Sequence, residues 1–178
     1  PAPRVLDAIG DMAGELARIT RERLRGDPPR SAKVEKVRGY LRRELGEVAS
    51  RMHWDAPRTA VATSRTFQQL AQLCGAPPLR HGPFVPRVLR RDELARQIGR
   101  LGALTAAKRA RLPGISAPRA RQSLAGALVA HTMLDMFGLD EVTICPWALR
   151  EGILLRRVER ADSWADRAMT LTAPAEAG

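Results

Sequence analysis

The stretch from Pro118 to Phe137 constrains this chain more than any other. It is long, largely apolar and closed by Gly138, a residue suited to the left-handed turn that ends a helix. A helix with so little polar surface needs apolar partners. Hydrophobic residues make up 44 % of the 178, enough for a real core and too many for wholesale disorder. The length suits one ordinary domain. No apolar run approaches the roughly 20 residues of a membrane span, so a transmembrane reading is out. Pro1-Ala-Pro-Arg-Val5 shows no basic stretch leading into an apolar segment, so these residues do not support the expectation of a secretory signal. Two cysteines, Cys74 and Cys145, cannot build a disulfide framework, which makes a cytoplasmic location the expectation.

Elsewhere the apolar residues recur at helical spacing. Val5, Ile9, Met12, Leu16 and Ile19 predict a first helix, broken at Gly26-Asp27-Pro28-Pro29. Val34, Val37, Leu41, Leu45 and Val48 predict a second. Its polar face, with Lys33, Lys36, Arg38, Arg42 and Arg43 among glutamates, reads as solvated. Thr59 to Ser64 reads as a strand entering a tight turn, followed by a helix through Phe67, Leu70 and Leu73. Pro86 limits Phe84 to Leu89 to an edge strand at best. Leu94, Ile98 and Leu101 mark another helix, and Glu141 to Cys145 alternates like a strand. Pro146 to Leu155 reads as a turn into a last helix, and beyond Arg160 the composition becomes that of a flexible tail. The class is α/β or α+β with helices in excess.

The net charge is +11 and almost all of it is arginine; Lys33, Lys36 and Lys108 are the only lysines. Such a chain attracts polyanions, although arginine usage can equally follow genome composition. Aromatics at 4 % leave few platforms for base stacking, so nucleic acid is a weak candidate partner.

Three segments carry possible chemistry. Thr63-Ser64-Arg65-Thr66 sits where a strand meets a helix start, whose free N–H groups and dipole suit an anion, with Arg65 as a forked donor. Ser64 can equally be a plain N-cap beside a solvent-exposed arginine. Pro118-Arg119-Ala-Arg121 places two cations in the first turn of the long helix, where they oppose the dipole unless an anion is bound. Trp147-Ala-Leu-Arg150-Glu151-Gly152 carries a glycine inside a helical stretch, at about 1 kcal/mol against alanine. His53, His81 and His131 show no metal spacing, and His131 with Asp135 reads as partly buried decoration. Nucleophile-elbow, Walker and dinucleotide motifs are absent from these residues, and neither cysteine has a nearby histidine.

The same segments stand in one order: Ala60-Val-Ala-Thr-Ser-Arg-Thr-Phe-Gln-Gln-Leu-Ala71, Leu112-Pro-Gly-Ile-Ser-Ala-Pro-Arg-Ala-Arg-Gln-Ser-Leu-Ala-Gly-Ala-Leu-Val129 and Ile144-Cys-Pro-Trp-Ala-Leu-Arg-Glu-Gly-Ile-Leu154. Over residues 27–159 this resembles the C-terminal half of the Ppx/GppA phosphatases, the exopolyphosphatase and guanosine pentaphosphate phosphohydrolase family. The last segment most resembles the short actinobacterial exopolyphosphatases. The resemblance implies the second domain of an actin-like ATPase (ASKHA, ribonuclease H-like) fold. It implies polyphosphate or guanosine pentaphosphate as substrate and Mg2+ as cofactor, and leaves homodimerisation open.

The matching segments suggest Thr63, Ser64, Arg65, Thr66, Arg119 and Arg150 as substrate-binding residues. Ala62 and Arg65 replace glycines usual in the family, and Arg121 replaces an acidic residue. The family's Asp-x-Gly-Ser-Asn loop, the catalytic glutamate after it and the Gly-Gly-Gly-Ser loop do not occur in these 178 residues. No catalytic residue or metal ligand is therefore assigned. The expectation is a truncated or differently started piece, inactive alone, with 1–26 an atypical helix lacking its native partner and 160–178 a tail. The alternative is a non-catalytic polyanion-binding or regulatory module.

Overall fold

The computed structural model describes residues 12–52, 60–147 and 156–157. Two units divide at Cys145. Pro146, Trp147, Arg156 and Arg157 belong to the second unit, while the first holds the sheet and the helices packed with it. Val5, Ile9, Arg150 and the tail lie outside the described residues.

Helix α1 (Met12–Arg18) runs into a π-helical turn at Ile19–Arg23. Then come α2 (Ser31–Met52), β1 (Val61–Ala62), α3 (Arg65–Leu73), β2 (Val88–Arg90), α4 (Arg91–Ala103), the short α5 (Ala106–Arg109), α6 (Ser123–Met136) and β3 (Glu141–Ile144). The sheet order is β1-β3-β2, with β3 parallel to β1 and antiparallel to β2. Pro86 lies just before β2, and β2 is an edge strand, the place a nearby proline allows.

Helix α6 is the centre of the core. Every residue from Ser123 to Ala130 is buried, and α2, α3 and α4 pack around it. Its apolar sequence thus finds partners within the fold; among the described residues no helix is long and apolar enough to cross a membrane. The Gly138 N–H donates to Asp135 O at 3.2 Å and the Leu139 N–H to Leu134 O at 2.8 Å, with Gly138 at φ +64. This is a Schellman closure, at the glycine the sequence indicates.

The helix starts later than Pro118. Ala117–Arg119 is a 3-10 turn, and the N–H groups of Gln122 and Ser123 still reach back only three residues. The α ladder opens with the Gly126 N–H on Gln122 O at 2.9 Å. Arg119 and Arg121 therefore precede the helix and do not occupy its first turn.

The first segment also corrects an expectation. Leu16, Ile19 and Leu24 are buried in the common core. Arg18 donates to the Tyr40 hydroxyl of α2 at 3.0 Å, and the Arg23 guanidinium lies 3.6 Å from the centroid of the Tyr40 ring. One turn further on, both Asp27 carboxylate oxygens accept the Ala106 N–H, at 2.8 and 2.9 Å, and so cap α5. The segment from Leu16 onward has its partners within this chain. The face of α2 is likewise more than solvated: Arg42 donates to Asp135 of α6 at 2.8 Å.

The loop before β2 is built on one cation. Arg87 is 3 % exposed and meets only carbonyl groups: Pro77, Val85, Pro78 and Gly82, at 2.7, 2.8, 2.8 and 3.0 Å. Four charge-assisted bonds compensate its desolvation.

Two measurements test this packing. Ile19→Ala is expected to cost about 2–5 kcal/mol, and deletion of residues 1–26 to lower the melting temperature, by roughly 2–4 °C per kcal/mol. An unchanged melting temperature on deletion would remove the segment from the core. Secondly, burial and the facing Arg38, with smaller contributions from Arg91 and Arg42, hold the His131 imidazolium below its ordinary pKa, against an opposing pull from Asp135. The unfolded chain then binds the extra proton first, so stability is full above about pH 6.5 and falls as pH drops below it. His131→Gln should flatten the decline in melting temperature between pH 7 and 5.

Candidate functional site

Ser64 is the N-cap of α3: its extended backbone stops the helix, and its Oγ accepts the Phe67 N–H at 3.3 Å. The N–H groups of Arg65 and Thr66 precede the first α-helical bond, which the Gln68 N–H makes to Ser64 O at 3.1 Å. Among the described residues no non-glycine has a positive φ, so Ala62 and Arg65 fit this turn without backbone strain.

Two glycines bring the turn against its neighbours. A Cβ on Gly126 would stand 2.6 Å from Thr66 Cγ2, so the start of α3 rests on α6 only because that position has no side chain. Gly114, at φ +78, lies against α3; a Cβ there would stand 2.7 Å from Gln69 O and 2.8 Å from Gln72 Cβ. Gln69 Nε2 then donates to Ser116 Oγ at 2.8 Å and holds the loop that carries Arg119.

The result is a cavity of about 420 Å³ lined by Thr63, Ser64, Arg65, Thr66 and Arg119, with Gln122 beside them and Phe67, Met133, Phe137 and Val142 as apolar walls. Five of the six residues singled out in the sequence thus meet in one place; Arg150 lies outside the described residues. Arg65 and Arg119 are exposed, and among the described residues no carboxylate pairs with either. They also border a second cavity, of about 470 Å³. Arg121 parts from Arg119 and lines a small recess beside Asp27 and Arg109.

The chemistry of this lining is one-sided. Guanidinium, hydroxyl, amide and N–H groups donate to an anion, and among the described residues no carboxylate lines either cavity. Among the described residues no three His, Cys, Asp or Glu side chains gather where an ion could be held. These residues do not fit a magnesium site, and no step is routed through that ion. Cys74 is no nucleophile either: burial, with Glu93 nearby, pushes its thiol up to about 12. Asp135 beside His131 is engaged by Arg42 and Arg91.

The spacing glycines and the amides of α3 carry no motif of their own. Gly126 was the one readable signal, since glycine inside an apolar helix is unfavourable without a close neighbour.

The model of the Ppx/GppA phosphatase family matches residues 16–161. An uncharacterized protein of Streptomyces coelicolor is 57 % identical over 150 residues, 83 % of this chain and 45 % of that protein. Exopolyphosphatase 1 of Mycobacterium tuberculosis is 45 % identical over 150 residues, 84 % of this chain and 43 % of that enzyme. Among solved structures, the Aquifex aeolicus Ppx/GppA family member superposes with a TM-score of 0.71 at 24 % identity, over 82 % of this chain and 47 % of that one. An exopolyphosphatase from Cytophaga hutchinsonii gives 0.63 at 19 % identity, over 75 % and 44 %. The chain spans less than half the length of these relatives. The structural likeness establishes the fold, the helix-rich α/β second domain of an actin-like ATPase fold.

The contact between α3 and α6 can be tested by a double-mutant cycle. Gly126→Ala should destabilise the fold, and Thr66→Ser, which deletes the opposing methyl, should recover part of the loss. The expected coupling is about 0.5–3 kcal/mol, read from denaturant midpoints. Additive effects would mean that the two positions do not touch.

Proposed function

The chain belongs to the Ppx/GppA phosphatase family, and on that footing we propose that it is the phosphate-holding part of a phosphohydrolase removing terminal phosphate from inorganic polyphosphate or guanosine pentaphosphate. The supporting observation is the convergence of Thr63–Thr66 with Arg119 on one cavity. There an anionic chain meets two guanidinium forks, two threonine hydroxyls and the open start of α3. Arg150, in the matching Arg-Glu-Gly segment, is proposed as a third cation.

These residues bind and orient; they do not activate water. Hydrolysis needs a base in reach of the attacking water and neutralisation of the leaving phosphate. By resemblance, those groups sit on the family's Asp-x-Gly-Ser-Asn and Gly-Gly-Gly-Ser loops and on a glutamate of the first domain. The 178 residues are therefore proposed to be catalytically incomplete alone. A second reading, a polyanion-binding module without hydrolysis, draws on the +11 charge and on a lining without carboxylates.

Two assays decide between them. The isolated chain should release no phosphate from polyphosphate with magnesium present; turnover that survives repurification would overturn the incompleteness. Arg119→Ala should weaken polyphosphate binding by about 1–3 kcal/mol, as for a lost bond to a charged group. The exposed Lys36→Ala is the charge control, since Arg42 bonds Asp135 and its removal would disturb the fold. Equal losses at Arg119 and Lys36 would mean that charge alone holds the anion. Adding the first domain of a family member should restore turnover under the hydrolase reading and leave binding unproductive under the other.

A further inference from the structure

Arg109, like Arg87, is a buried guanidinium, but its surroundings answer it far less completely. It is 3 % exposed, yet among the described residues it makes one hydrogen bond, from Nε to the Leu101 carbonyl at 2.7 Å. Its Nη2 is buried without a hydrogen-bond partner among the described residues. Burial lowers its pKa from the ordinary arginine value, against an opposing pull from Asp27. Arg87, by contrast, meets four carbonyls. A buried cation with so few acceptors is costly unless a negative charge lies against it.

The Arg109 side chain lines a recess of about 10 Å³ together with Thr20, Leu24, Asp27, Arg121 and Leu124. That volume admits one particle the size of a water molecule or a monatomic ion, and it excludes a phosphate. Two guanidinium groups face one carboxylate here, which leaves one positive charge in excess. Among the described residues no ion pair joins either arginine to an acid. Both Asp27 oxygens accept the Ala106 N–H, and Thr20 Oγ donates to Leu16 O at 2.7 Å. Water would give Nη2 an acceptor and leave the excess charge unanswered. A monovalent anion does both.

We infer that this recess is a site for one halide ion, chloride. Arg109 Nη2 donates to it from the buried side, and the exposed Arg121 adds the second cation. The ion ties together the segment from Thr20 to Asp27, helix α5 and the start of α6. Arg119 takes no part, so the site stands apart from the proposed phosphate cavity and does not rest on that proposal.

The experiment follows thermal unfolding of the full 178-residue chain in mixtures of sodium chloride and sodium gluconate at constant ionic strength. Gluconate is too large for the recess. Each tenfold rise in chloride above its Kd should raise Tm by about 3–5 °C. Arg121→Gln should reduce this gain. Arg121→Asp, which brings a carboxylate to the recess, should abolish it and leave Tm in gluconate above that of Arg121→Gln. The exposed Lys36→Ala should keep the full gain, as the control for chloride gathering on a basic surface. A Tm indifferent to chloride means that water fills the recess, and overturns the site. An equal gain in the unmodified chain and in Arg121→Asp overturns it too, because chloride then acts on the surface as a whole. Should Arg121→Asp fail to fold, an undiminished gain in Arg121→Gln has the same force.

Discussion

Burying a helix that has almost no polar face is the constraint on which the rest of this structure depends. Eight consecutive residues of α6 are closed off from water, so neighbours must cover it all round. Helices α2, α3 and α4 do so, and the three short strands pack in turn on α3 and α4. The glycine-closed Schellman turn sends the chain back into β3, the central strand. Sheet and bundle therefore share one core.

The candidate site is a by-product of that burial. A helix covered so tightly admits α3 only where it offers a notch, and Gly126 is the notch. The start of α3 thereby comes down beside the loop that carries Arg119, and a cavity opens between them. The cations that border it are placed by backbone packing, and among the described residues no carboxylate pairs with them.

Much of this was legible in the residues. Apolar spacing located α2, α3, α4 and α6, Ser64 announced a cap, and Gly138 announced a C-terminus. The three motifs in order identified the family and the fold. What was not legible depended on distant partners. Nothing local to Leu16 or Ile19 says that Tyr40 waits between two arginines, or that Asp27 caps a helix 79 positions away. The 3-10 turn at Ala117–Arg119 escaped because the sequence favours a helix throughout and does not say how tightly its first turns are wound. The packing of Gly114 against Gln69 and Gln72 escaped because an amide on a helix is ordinary until a loop is laid against it.

The loop around Arg87 has a consequence for how the molecule breathes. Residues 77–85 form only one short 3-10 turn and contain three prolines, yet four of their carbonyls converge on a single buried guanidinium. The Arg87 carbonyl itself accepts the Ile144 N–H of β3 at 2.8 Å. Peeling away any one part leaves the buried cation short of acceptors, so the whole stretch must open together with the sheet edge or stay closed. Although it looks irregular, this segment should exchange its amide hydrogens and yield to proteases in step with β3, more slowly than a surface loop of its length. Leu79 rides on it, so the wall of the second cavity inherits that rigidity.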